Sequence, residues 1–150
     1  MRTRTAALLT GLLAVLATTL PAQAGTAATS PVQIKFVYYD SPGRDDRSNA
    51  SLDAEFVQLH NGATRAVSLR SWTLRDTSSH IYVFGAYTLG AGKTVSVRTG
   101  RGTDSAIYRY QGRRAYVWNN DKDTAILRNA SGTTVDSCRW TRPGTGKISC

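Results

Sequence analysis

The chain has 150 residues, with 19 Lys+Arg against 10 Asp+Glu and a net charge of +9. That length suits one domain, and the positive excess favours acidic partners, nucleic acid or anionic cell-envelope polymers, while also serving solubility. The only cysteines, Cys138 and Cys150, form no C-x-x-C, and His60 and His80 stand far from them, which excludes a dithiol redox motif and a spaced zinc site.

The first segment reads as an export signal. Arg2 and Arg4 supply a positive start, Ala6 to Leu20 is apolar and broken only by small residues, and Pro21-Ala22-Gln23-Ala24 ends in the small-x-small pattern a signal peptidase needs. The apolar run falls short of the roughly 20 residues that span a bilayer, and no second long apolar run follows, so no membrane span is expected. Residues 1–24 are therefore expected to be removed, 25–31 to form a flexible leader, and 32–150 to fold as one secreted, extracellular domain. The signal takes Arg2 and Arg4 with it, leaving 17 Lys+Arg against 10 Asp+Glu, or +7. An even cysteine count in an oxidising compartment points to a Cys138–Cys150 disulfide closing a short C-terminal loop.

Val32 to Tyr39 starts with apolar and polar residues in alternation and reads as the first strand, ended by the turn Asp40-Ser41-Pro42-Gly43. Arg44 to Ser51 reads as a charged loop. Asp53 to Asn61, Val67 to Leu69 and Trp72 to Asp76 are three apolar runs divided by Asn61-Gly62 and Arg70-Ser71, each too short for a helix. Ile81 to Phe84, Thr94 to Thr99, Ala115 to Trp118, Thr124 to Arg128 and Thr133 to Trp140 follow as further strands, whereas Thr103 to Arg114 shows no clear period. About nine short strands with turns every 8–12 residues predict an all-β, immunoglobulin-like β-sandwich. Tyr116, Trp118, Ile126 and Val135 are expected to share its core with Trp72.

Four spans carry a family likeness: Tyr39 to Asp45, Leu52 to Asn61, Trp72 to Asp76, and Val117-Trp118-Asn119-Asn120 with Asp123-Thr124-Ala125. In this order and spacing they resemble the lamin tail domain, itself an immunoglobulin-like sandwich. Unlike the nuclear lamins, the chain has no heptad rod and begins with an export signal, so filament formation is not expected. The resemblance implies a small binding or scaffolding module of the kind found in secreted bacterial proteins.

Candidate chemistry is sparse. Asp40, Asp45, Asp46, Asn49, Asp53 and Glu55 could supply oxygen ligands to calcium. Arg44 and Arg47 interrupt them, EF-hand spacing is absent, and such residues also build turns by bonding their own backbone, so no metal and no cofactor is expected. His80 after Asp76 and Ser78-Ser79 invites comparison with a serine hydrolase, but the glycine-flanked nucleophile is missing. The enzyme alternative is a small basic ribonuclease, with Asp53 or Glu55 as base, His60 or His80 as acid and Arg75 for phosphate, although no spacing selects these residues. Arg98-Thr99-Gly100-Arg101-Gly102 and Tyr108 to Tyr116 concentrate arginine, tyrosine and glycine. Arginine forks suit phosphate and sulfate, and tyrosine offers a stacking face. Arg98, Arg101, Arg109, Arg113, Arg114, Tyr108, Tyr110 and Tyr116 are accordingly the expected binding residues of a non-catalytic, monomeric module for a polyanion, DNA or an envelope glycan; the competing role is a charged, solvated sheet edge.

Overall fold

The structure, a computed structural model, describes residues 30–141 and 144–150. The expected signal peptide, and all of the leader except Ser30 and Pro31, lie outside the described residues. The elements run β1 (Val32–Tyr38), α1 (Asn49–Ala54), β2 (Phe56–Asn61), β3 (Val67–Ser68), β4 (Thr73–Arg75), β5 (Ile81–Val83), β6 (Thr88–Leu89), β7 (Thr94–Arg98), β8 (Tyr108–Tyr110), β9 (Asp123–Arg128), β10 (Thr134–Trp140) and β11 (Lys147–Ser149). One sheet has the order β11-β1-β2-β7-β8, a second β10-β9-β4-β5, and β3 pairs with β6. This is the expected all-β, immunoglobulin-like sandwich.

Alternation along the strands builds the core. Val57 and Leu59 of β2 and Val95 and Val97 of β7 turn inward from one sheet, and Leu74 of β4 with Ala125 and Leu127 of β9 meet them from the other. Each buried valine or leucine stabilises the fold by about 1.5–3 kcal/mol. Aromatic packing closes one region of this core: Trp140 stacks on Tyr39 at 4.8 Å and meets Trp118 edge-on at 6.1 Å.

The layers are also joined by polar and covalent links. β1 is irregular between Ile34 and Phe36, and β10 between Thr134 and Asp136. Such bulges free backbone groups from the ladder. Here the Ile34 amide donates to the Asp136 carboxylate at 2.7 Å, linking one layer to the other. The Cys138–Cys150 disulfide forms, with Cα atoms 5.8 Å apart. It joins β10 of the four-stranded sheet to the residue after β11, an edge strand of the five-stranded sheet.

Several elements differ from the sequence expectation. Asn49 to Ala54 is a helical turn rather than the end of a loop, capped by the Ser48 hydroxyl, which accepts from the Ser51 amide. Residues 115–118 form no strand, although Val117 and Trp118 are buried; they cover the sandwich as irregular chain. Tyr116 stays half-exposed, because its hydroxyl bonds Ser51 at 2.7 Å. Ile126 is outside the core: β9 can turn only one parity inward, and the pairing of Leu74 with Leu127 commits Ala125 and Leu127 to that face. Trp72 and Val135 pack against the core while only partly buried.

Candidate functional site

The two arginine-rich segments lie side by side. Residues 99–107 carry the chain from β7 to β8, which pairs with β7 in parallel, Ser96 opposite Tyr108 and Arg98 opposite Tyr110. The pairing continues past the strands, where Gln111, Gly112 and Arg113 amides donate to the carbonyls of Arg98, Gly100 and Thr99. Such a parallel edge pair leaves no simple alternation to read, because one strand has only three residues and its neighbour lies across a loop.

The eight expected binding side chains have different fates. The Arg98 guanidinium donates to the Asp53 carbonyl and lies over the rings of Phe56 and Tyr108, 5.6 and 4.5 Å from their centroids. Arg109 lies 3.9 Å above the Tyr87 ring and pairs with Asp104 at 3.4 Å. The Arg113 Nη2 donates to the Ile81 carbonyl across the gap between the sheets' edges. Arg101 and Arg114 are exposed and have no ion pair among the described residues. Tyr110 packs against the backbone of Gly102, and the Tyr116 hydroxyl reaches Ser51 and receives the Arg47 amide. Arg101 and Arg114 thus retain the most solvent-facing charge, while Arg98 and Arg109 are fixed by stacking and half-buried Arg113 by its bond to Ile81.

Beneath this edge lies a buried carboxyl. Glu55 is fully buried, its Oε1 accepting from the Thr99 hydroxyl and the Val117 amide at 2.9 Å, its Oε2 without a hydrogen-bond partner among the described residues. Burial pushes its pKa up to about 7, against the pull of those hydrogen bonds. The helical turn α1 docks beside it. The Asn49 side chain donates to Asp53 and to the Arg101 carbonyl and accepts from the Arg101 amide, clamping the start of the 99–107 loop.

The calcium candidates are dispersed among structural duties. Asp40 accepts from Asn120, Asp46 from the Ser48 amide, and Asn49, Asp53 and Glu55 act as described. Asp45 is exposed. Among the described residues, no three His, Cys, Asp or Glu side chains are grouped to hold a metal ion.

The ribonuclease candidates are likewise distributed over both layers. His60, on β2, bonds the Thr94 hydroxyl at 3.2 Å. His80 precedes β5 in the other sheet, and its Nδ1 lies 2.6 Å from the buried Asp76. Asp76 also accepts the Ser78 and His80 amides, as an aspartate ordering its own turn does. Three open clefts of about 270–420 Å³ are lined by neither histidine nor by Asp53 or Glu55.

One feature that site reasoning from the sequence missed is an aromatic row outside the core. Phe36 and Tyr38 of β1 and Phe56 of β2 sit on the strand parity opposite to Val37 and Val57, and their rings lie 5.6–6.2 Å apart on the outer face of the five-stranded sheet. A signal was present in β1 and β2, where aromatics take alternate positions that the core does not need. Their adjacency depends on strand order, which the sequence leaves open.

Among the described residues no helix is long and apolar enough to cross a membrane. No curated protein matches the chain significantly. The family model of the lamin tail domain matches residues 25–142, a span holding every strand from β1 to β10 and ending before β11 and Cys150. The sandwich topology and this match over most of the sequence lead to one conclusion: the chain belongs to the lamin tail domain family, a family of non-catalytic immunoglobulin-like domains.

Proposed function

We propose that the protein is a secreted, monomeric, non-catalytic binding module for an anionic polymer, DNA or a phosphate-bearing envelope glycan. The observation that carries this reading is the backbone pairing of residues 98–100 with 111–113, which sets Arg101, Arg113 and Arg114 on adjoining segments of one edge. Charge segregation supports it. The chain has ten Asp and Glu side chains, and among the described residues neither sheet's outer face carries one at a strand position: Asp123 and Asp136, the acids within the described strands, follow the inward parity of Trp140 and Leu127. Arg75, Arg128 and Arg139, by contrast, take the outward parity of the four-stranded sheet. Acid–base catalysis has less to work with, since Glu55 is sealed from solvent and the histidines belong to different sheets.

Polyanion binding through these arginines releases counterions, so affinity should fall steeply with salt. Titration of duplex DNA and of teichoic acid against salt is the test, for wild type and Arg113→Ala/Arg114→Ala. The expected result is saturable binding at low salt, with the log–log slope flattened by about 0.9 for each phosphate that the variant no longer neutralises. Absence of saturable binding, or an unchanged slope in the double variant, would leave these arginines as solvation of a sheet edge.

A further inference from the structure

The outer face of the five-stranded sheet carries more than a solvated surface needs. Cross-strand register aligns Lys147 of β11, Tyr38 of β1, Phe56 of β2 and Arg98 of β7 in one row, and Phe36 and Tyr108 stand in the next. The row is continuous: Tyr38 and Phe56 rings are 5.6 Å apart, the Arg98 guanidinium bridges Phe56 and Tyr108, and the Lys147 ammonium lies 6.0 Å from Tyr38. All four rings are only half-buried. The other positions between them are Gln58 and Ser96, and among the described residues no strand position on the face carries a carboxylate, although Asp53 of α1 lies within electrostatic reach of Arg98. Cross-strand aromatic pairing explains part of this arrangement. It does not explain why two cations, Lys147 and Arg98, flank the Tyr38–Phe56 pair, nor why the rings are left partly open to water.

We propose that this face is a stacking platform for single-stranded nucleic acid, bases resting on Tyr38, Phe56 and Tyr108 and phosphates met by Arg98 and Lys147. Three properties select that ligand. Rings with cations at their margins match a polymer that alternates flat apolar bases with phosphates. A duplex has its bases already paired and stacked, so it offers such a face nothing but backbone. A neutral glycan can stack on aromatic rings but draws no benefit from the cations. Arg98 is held for the task, because its Nη1 is fixed to the Asp53 carbonyl while Nη2 has no partner among the described residues. The proposal rests on the preceding reading for the anionic character of the ligand and adjoins that edge at Arg98 and Tyr108; Tyr38, Phe56 and Lys147 belong to this face alone, so each reading can fail without the other.

The test measures binding of a labelled oligothymidylate, a duplex of the same length, heparin and a chitin oligosaccharide. The proteins are wild type, Phe56→Leu/Tyr108→Leu and Arg113→Ala/Arg114→Ala. Leucine keeps apolar bulk on the sheet while removing the stacking surface. The expected result is that wild type prefers oligothymidylate to duplex and that the leucine variant loses at least about ten-fold in oligothymidylate affinity with heparin affinity unchanged. The arginine variant should show the converse, its deficit falling mainly on heparin and duplex. If the leucine variant unfolds, Tyr38→Leu and Lys147→Gln supply the same readout from the other end of the row. The proposal is overturned if oligothymidylate affinity is indifferent to these substitutions, or if wild type shows no preference for the single strand. It is also overturned if only the chitin oligosaccharide binds in a ring-dependent way, or if the substitutions instead abolish a dimer seen by ultracentrifugation.

Discussion

Glu55 is the residue through which pH reaches the fold. Its carboxyl joins the start of β2 to Thr99 at the end of β7 and to the covering segment at Val117. With a folded pKa raised to about 7 from 4.5, the native state holds the proton more tightly than the unfolded chain. The contribution is therefore full below about pH 4.5, is lost as pH rises through about 7, and is flat above. At about 1.4 kcal/mol per pH unit the loss across that window is about 3 kcal/mol. Thermal unfolding should show a midpoint that falls between about pH 5 and about pH 8, and Glu55→Gln, whose amide oxygen can still accept both bonds, should flatten that dependence. A flat wild-type profile would mean that Glu55 stays ionised. Gly100 makes a second sharp prediction. A Cβ there would stand 2.3 Å from the Asp53 Oδ1 and 2.9 Å from the Asn49 Oδ1, so Gly100→Ala must push these two side chains out of the hydrogen bonds that seat α1. The expected cost is about 1–3 kcal/mol in urea denaturation. No stability change would show that the turn can move aside freely. Neither property was legible in the chain: the sequence shows Glu55 among acidic neighbours but not that Thr99 and Val117 enclose it.

Among the elements, β11 shows how a short tail becomes part of the sandwich. Three residues with one half-buried side chain, Ile148, would not hold a strand unaided. The tail is held at both ends. The Gly146 carbonyl accepts the Tyr39 and Asp40 amides, the Cys150 amide donates to the Lys35 carbonyl, and the disulfide returns the chain to β10. Gly146 has φ of +77° and lies so near the Asp40 backbone that a Cβ would approach its carbonyl oxygen to 2.9 Å, so glycine is required there. Reduction, or Cys138→Ser/Cys150→Ser, should cost about 3 kcal/mol through loop entropy. Hydrogen exchange should accelerate first at the Cys150 and Tyr39 amides. Uniform acceleration across both sheets would instead make the tail part of the cooperative core. The cysteine pair itself was readable from the even count and the expected export. The strand it secures was not, because its partner β1 lies at the other end of the domain and so short a run carries no period of its own. β8 escaped notice for the same reason, its partner being parallel and across a loop.

Over the molecule at large, charge and export form one prediction. An intact secreted protein should begin at Gly25 by mass spectrometry when the full chain is made in a secreting host, and should carry no free thiol. A product retaining residues 1–24 would remove the export reading and, with it, the +7 that the proposed polyanion surface assumes. The distribution of that charge matters more than its sum. Carboxylates serve inside turns, at Asp76 and Asp123, or across the bulges, at Asp136, so among the described residues the strand positions of the two outer sheet faces carry cations without acids, and Asp53 of α1 reaches only Arg98.

Local pattern in the chain was enough to settle the class of fold and most of its strands, because a period of two and turn residues are properties of near neighbours that burial then enforces. The cysteine pair and the family likeness were readable in the same way, since four ordered spans need no coordinates. Which side chains share a surface was settled only on folding. Strand order brought Phe36, Tyr38, Phe56, Arg98 and Tyr108 onto one face although they are far apart in the chain, and register chose Leu127 over Ile126 for the core. Folding also separated arginines that look alike in the sequence: Arg98 and Arg109 are stacked on rings, whereas Arg101 and Arg114 remain exposed. One physical cause underlies these cases. Hydrophobic periodicity acts between residues close in the chain, whereas stacking, ion pairing and close approach act between residues that only the folded sheets bring together.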